Sequence, residues 1–221
     1  MDTTSVVKEH KFFIRDLDTN LQSLYDWTIN LDNNIRSGNI NINADKETLN
    51  VYKDRPSGAG TALLSYYNIF NMGNSEIEKL KNGIHDALKE ACEYYGIDYN
   101  SEEWYLHGWF NRNAKEDMWD VSPLDHDDKW HEHMNGVGAP VFHGYFCVNA
   151  EPSVTVYQIF KNPNNIKVNV NKNNRLVVSE VGHPHGMGNW RSDETRITLA
   201  YDIAPRVYIS DEDAQTWTRL N

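Results

Sequence analysis

Apolar residues recur at three- and four-residue steps through SEIEKLKNGIHDALKEACEYYG, residues 75–96. Ile77, Leu80, Ile84, Leu88, Ala91 and Tyr95 form one stripe, which predicts an amphipathic helix. Ser75 and Glu78 have the spacing of a capping box, and Gly96 is placed to end the helix in the left-handed conformation. A weaker helical pattern covers residues 21 to about 33. Most of the remainder alternates with a period of two. Segments 61–70 (TALLSYYNIF), 104–111 (WYLHGWFN), 142–149 (FHGYFCVN), 154–160 (VTVYQIF), 166–170, 175–181 and 196–203 (RITLAYDI) are rich in β-branched and aromatic residues. Asn, Gly, Pro and Asp clusters bound them, so they read as strands. Short strands crowd the C-terminal half, as in a sandwich or barrel, and the helix at 75–96 would bury its stripe against such a sheet.

With 221 residues, 39% of them hydrophobic and 12% aromatic, the chain suffices for one domain with a full core. No repeat or linker divides it. The expectation is a single α+β domain over 1–221, with helical and β support over about 1–103 and a β-rich core over about 104–205. Thirty-two acidic residues against 21 basic ones give a net charge of −11. That balance argues against a protein built to grip nucleic-acid phosphates, while leaving room for a small anion held by one buried Arg. No apolar run follows a basic flank, and none approaches a membrane span. Cys92 and Cys147 are too few for a disulfide framework. A reduced, cytoplasmic protein without a membrane partner is expected.

Six of the nine histidines, His126, His131, His133, His143, His183 and His185, fall within 60 residues. Two groups are H-x-H pairs, His131/His133 and His183/His185, and alternation points both rings of a pair to one face. If the strands bearing these pairs neighbour each other, rings from each meet in a metal site; otherwise they are ordinary polar residues on strand faces. Imidazole does not choose among iron, zinc, copper and nickel. After the second pair comes a Gly-rich turn and then the strand at 196–203, where Arg196, Thr198 and Ala200 share one face. An Arg beside a Thr on an inward face forms a receptor for a carboxylate.

A histidine, a short loop and then R-I-T heading an apolar strand resembles the C-terminal half of the signature of Fe(II)/2-oxoglutarate-dependent oxygenases. His131 and His185 are 54 residues apart, which suits the spacing of that signature. FHGYFCVN resembles the segment that follows the first iron motif in prolyl-hydroxylase-like and phage-type members, and LHGWFN at 106–111 resembles the strand before it. The similarity covers roughly residues 104–203. It implies a double-stranded β-helix, a jelly-roll or cupin-like barrel buttressed by N-terminal helices. It also implies a dioxygenase of the hydroxylase type that consumes O2 and 2-oxoglutarate and releases succinate and CO2. On that resemblance His131 and His185 are iron ligands, His185 being favoured over His183 by its 11-residue offset to Arg196. Arg196 and Thr198 receive 2-oxoglutarate with Tyr145 or Tyr157, Cys147 standing where many relatives have a helping Tyr. His143, His183, Trp130 and Trp190 line the substrate mouth. The primary substrate, a peptide side chain or a small metabolite, is not implied, and a phage-encoded protein would act in the host cytoplasm.

One position departs from the pattern: His133 stands where the family has a carboxylate. Three readings remain open. His133 itself completes a three-histidine set; His126 and Asp128 of the nearby HDD are the true first motif; or His133 only lines the site, leaving a two-histidine centre completed by water or a halide, or no competent iron site. Two other classes compete with an oxygenase. A cupin-type metalloprotein of different chemistry usually has a Glu shortly after the first pair, but MNGVGAP follows His133. A non-catalytic β-sandwich binding module would bind no stoichiometric metal.

Overall fold

The computed structural model describes residues 9–40, 42, 44, 46–54, 66–115, 130–133, 141–211 and 213–221; His126 and Asp128 lie outside them. The elements run β1 (Phe13–Asp16), α1 (Leu21–Ser37), α2 (Lys46–Asp54), α3 (Ser75–Tyr95), β2 (Trp104–Asn113), β3 (Phe142–Asn149), β4 (Val154–Gln158), β5 (Ile166–Val170), β6 (Arg175–Glu180), β7 (His185–Gly188), β8 (Arg196–Pro205) and β9 (Thr218–Arg219).

The helix at 75–96 forms as its periodicity predicts, but its cap is one residue earlier. Asn74, rather than Ser75, accepts from the backbone N–H groups of Glu76 and Ile77 at 2.8 and 3.3 Å. Gly96 closes the other end at φ 73°. Ile77, Leu80, Ile84, Ala87, Leu88 and Ala91 are buried, and each Leu or Ile contributes about 1.5–3 kcal/mol relative to exposure. Glu76 accepts from the backbone N–H of Asn20 at 2.8 Å, tying α3 to the start of α1. Asn20 in turn caps α1 through Ser23 N–H, and that helix runs to Gly38, beyond its expected end.

Segment 61–70 does not read out as a strand in its described part. Ile69–Asn71 is a single 3₁₀ turn, and the Asn68 side chain replaces a ladder by accepting from Phe70 and Gly108 N–H and donating to the Leu106 carbonyl. Tyr67, Ile69 and Phe70 are all buried, so the run plugs the core instead of alternating across a sheet. Conversely, β1 has only four residues and becomes a strand by pairing with β6. The strand expected over 154–160 stops at Gln158, because Phe160 turns the chain at φ 55°.

Two sheets result: a six-stranded one in the order β1-β6-β3-β8-β2-β9 and a three-stranded one in the order β5-β4-β7. Every strand pair is antiparallel. The fold is α+β of jelly-roll type, with two facing sheets that do not close into a barrel among the described residues. One face of the large sheet carries Leu106, Phe110, Phe142, Phe146, Leu199, Tyr201 and Ile203 into a core shared with α1 and α3. Its opposite face meets the small sheet, with Tyr145, Cys147, Tyr157, Ile159 and Val177 between them.

That sheet is tightest at Gly144. A Cβ there would stand 2.1 Å from the Val177 carbonyl oxygen and 2.6 Å from Tyr201 Oη, the two atoms that already bond each other at 2.8 Å. Gly144→Ala is expected to cost about 2–3 kcal/mol by overpacking, read as a lowered midpoint in chemical denaturation. An unchanged midpoint would mean that β3 and β6 have room to part.

Candidate metal centre

Alternation on the central strands decides what faces the space between the sheets. On β8 it directs Arg196, Thr198, Ala200 and Asp202 inward, on β3 His143 and Tyr145, and on β2 Trp109, Asn111 and Asn113. Thr155 from β4 and His185 and Met187 from β7 face them from the small sheet. All these residues line one cavity of about 440 Å³, together with His131, Glu132 and His133, within the size range usual for small-molecule sites.

His131 is brought to β7 by its backbone. Its N–H donates to the His185 carbonyl at 3.1 Å and its carbonyl accepts from His185 N–H at 2.8 Å, so the two side chains leave the same side of a directly opposed pair. Their ring centroids are 4.2 Å apart, and His133 stacks on His185 at 5.3 Å. One ring nitrogen each from His131, His133 and His185 falls within 4.8 Å of the others. His185 Nδ1 lies 3.1 Å from the His183 carbonyl. A carbonyl can only accept, so Nδ1 carries the proton and Nε2 keeps its lone pair. His133 Nδ1 lies 2.5 Å from Asp202 Oδ1. The contact is close but not aligned as a hydrogen bond, since that oxygen has no well-directed donor among the described residues.

His131 is exposed at the rim of the cavity; the protein packed around its ring, then the neighbouring His133 charge, holds its pKa down at about 4 against the pull of Asp202. Burial followed by His131 and His133 lowers His185 further. Burial also disfavours charge on His133, but the charge and proximity of Asp202 outweigh it and the net shift is upward. His131 and His185 are therefore neutral at pH 7, the form that ligates. The donor set, three convergent imidazoles of which two have their far nitrogen engaged by an acceptor, fits a first-row divalent metal.

At the other end of the cavity, Arg196 is 1% exposed. Its Nε donates to Ser153 Oγ at 3.2 Å, and its Nη1 lies 3.2 Å from Met187 Sδ and 3.5 Å from Thr198 Oγ1. No carboxylate among the described residues pairs with it. A buried cation with only neutral neighbours is costly unless an anion arrives. Tyr145 lines the same wall, its Oη accepting from Asn169 Nδ2 at 2.7 Å.

The other sequence-derived residues fall as follows. His143 lines the cavity behind the set, its ring 4.5 Å from His133 and 4.6 Å from His185, with burial the first cause of its strongly lowered pKa. Tyr157 is fully buried and backs His185 at 5.1 Å. Trp190 is buried, its indole N–H bonded to the Glu194 carbonyl, and Trp130 is half-buried; neither belongs to the cavity lining. His183 also lies outside it, edge-on to His10 at 4.2 Å.

His10, Glu180 and His183 form a second convergent group, but their chemistry differs. Phe160 N–H donates to His183 Nδ1 at 3.0 Å, so the neutral ring carries its proton on Nε2, the atom facing Glu180 at 3.8 Å, and has no lone pair there. Burial first, then His183 and Lys167, depresses His10 to about 3. The group fastens the N-terminal segment to the corner between β6 and β7. Two rings two residues apart thus have opposite tautomers, which sequence spacing alone does not reveal.

Sequence reasoning passed over Asp202, Trp109, Asn111 and Asn113. The signal was present: continuing the Arg196–Thr198–Ala200 face by one step reaches Asp202, and the same alternation along β2 groups the other three.

The two facing antiparallel sheets form a jelly-roll arrangement with a candidate metal centre between them. No protein-family model matches the chain, and no curated protein matches its sequence. Among solved structures, the apo form of the non-heme monooxygenase ThoJ superposes with a TM-score of 0.51, covering 89% of this chain and 74% of that one at 9% identity. An oxidoreductase of the 2OG-Fe(II) oxygenase family from Burkholderia pseudomallei gives 0.42, covering 62% and 61% at 14% identity. The 2-oxoglutarate complex of dioxygenase for auxin oxidation 1 from Arabidopsis thaliana gives 0.40, covering 62% and 56% at 9% identity. The chain spans about three fifths of the length of these last two. At such identities the likeness is one of fold.

Proposed function

We propose that the chain is an Fe(II)- and 2-oxoglutarate-dependent oxygenase of the hydroxylase type. The observation that carries this reading is Arg196, a buried guanidinium with no carboxylate partner among the described residues, in the same cavity as three convergent histidines. A metal set alone suits many chemistries. A metal set facing a buried receptor for one carboxylate suits a dicarboxylate that reaches both. The Arg196 guanidinium lies 3.5 Å from Thr198 Oγ1, in the cavity that the three histidines also line.

In this reading His131, His133 and His185 hold the iron through ring nitrogens, while Arg196 and Thr198 bind the distal carboxylate. Tyr157 fixes the His185 ring from behind, and Tyr145 with Met187 forms the wall that limits water around the co-substrate. Trp109, Asn111 and Asn113 present a neutral polar wall to the primary substrate, and Asn113 Oδ1 is a buried acceptor without a donor. When bound, iron with 2-oxoglutarate supplies the reductive activation of O2 that ends in succinate, CO2 and a hydroxylated substrate. The histidine-only set in place of a direct carboxylate is compatible with iron because three imidazoles leave open positions as a facial triad does. No helix among the described residues is long and apolar enough to cross a membrane.

The test is an anaerobic titration of the apoprotein with Fe(II), then 2-oxoglutarate. A weak visible charge-transfer band appearing only on the second addition is expected, from chelation of the keto acid. Stoichiometric iron binding without that band would favour a cupin-type protein of other chemistry, and no iron binding would leave a binding module.

A further inference from the structure

Asp202 stands at the cavity wall where β8 passes β3, opposite His143 in register. Its side chain is 15% exposed and that of His133 12%, so their contact is largely shielded from water. Charged groups so placed act more strongly on each other than surface pairs do. Asp202 is not among the three residues whose donor atoms converge. It meets His133 at Nδ1, 2.5 Å away, and so blocks that nitrogen from a metal. Nε2 is the atom left free to ligate.

From this juxtaposition we infer that Asp202 is a positioning residue for the metal centre. It supplies through the His133 ring the carboxylate that the chain lacks two residues after His131. The inference rests on the reading of His131, His133 and His185 as a metal set. The Asp202 carboxylate beside Nδ1 favours the proton on that nitrogen, which leaves Nε2 with the lone pair that ligates. Its negative charge also makes Nε2 a stronger donor toward a cation. His185 has a neutral carbonyl in the corresponding place, so of these two rings His133 is the one through which a full charge reaches the metal. The carboxylate comes from a strand some 70 residues downstream, which is why the first motif can do without its own.

Cobalt(II) binding to the apoprotein, followed by visible absorbance, tests this without turnover, with thermal melting of each apo variant run in parallel. Asp202→Ala is expected to weaken cobalt about 10–100-fold, the usual cost of losing such an outer partner. Asp202→Asn, which can still accept the Nδ1 proton, should recover part of that loss. In a His133→Ala background, Asp202→Ala should have no further effect, because its influence passes through the missing ring. Wild-type affinity in Asp202→Ala, while the wild-type protein binds one cobalt, would overturn the role of Asp202 alone. An undiminished effect in the His133→Ala background would also overturn it, making Asp202 a direct ligand. A wild-type protein that binds no cobalt would overturn the metal-centre reading and this inference with it. A lowered melting temperature with unchanged affinity would reduce Asp202 to a structural partner and overturn the proposal as well.

Discussion

Arg196→Ala is expected to raise the 2-oxoglutarate concentration for half-saturation about 100-fold while leaving one metal ion bound per chain. Truncating one partner of a buried charge pair costs about 2–5 kcal/mol, and about 1.4 kcal/mol corresponds to a factor of ten. The apoprotein should lose little stability, because the guanidinium is buried with no carboxylate partner among the described residues and its removal relieves that charge while leaving a cavity. The clearest readout is therefore the thermal shift produced by 2-oxoglutarate on the metal-loaded protein, present in wild type and abolished in the variant. Arg196→Lys keeps the charge but loses the planar fork, so it should fall between the two. A variant that binds 2-oxoglutarate normally would remove Arg196 from the receptor, and with it the main support for the proposed co-substrate.

His185→Ala should have the largest effect on metal. Its ring is 7% exposed, fixed at Nδ1 by the His183 carbonyl and stacked on Tyr157, so its free nitrogen is held in place before any metal arrives. Affinity for Fe(II) or Co(II) is expected to fall by more than the roughly 100-fold that marks the upper end for an outer partner. Glu132→Ala is the contrasting variant. Glu132 lies between the two histidines in sequence, yet its carboxylate pairs with Lys161 at 2.8 Å, and metal binding should survive its loss. Full-affinity binding by His185→Ala, measured by equilibrium dialysis with metal analysis, would exclude it as a ligand. His183→Ala should spare metal affinity, because Phe160 holds that ring in a tautomer without a lone pair at Nε2.

Local patterns carried far in this chain. The stripe on α3 and the two-residue alternation of β3 and β8 follow from geometry that each segment has by itself, and both appear where the pattern puts them. The inward face of β8 was legible for the same reason, as a row of alternate residues heading from Arg196. What failed was context. The run at 61–70 has strand-like composition, but the side chain of Asn68 takes over the hydrogen bonds that a ladder would have made. The short β1 has too little sequence to declare itself and is made a strand by β6. The helix cap fell to Asn74, whose side chain reaches the Glu76 and Ile77 N–H groups, while Glu76 ties the helix to the start of α1, a contact between segments 56 residues apart.

The sequence by itself determined an α+β chain with a helix-backed sheet, a histidine-rich region and an Arg–Thr face, because helical and strand periodicities are properties of the local backbone. Only the tertiary structure decided that both histidines of the first pair but only His185 of the second turn to the shared cavity, which ring nitrogen is free, and that Asp202 stands behind His133. Those outcomes depend on strand register and on hydrogen-bond partners from distant segments. Register is set by the packing of both sheets together, and no single stretch of the chain contains it.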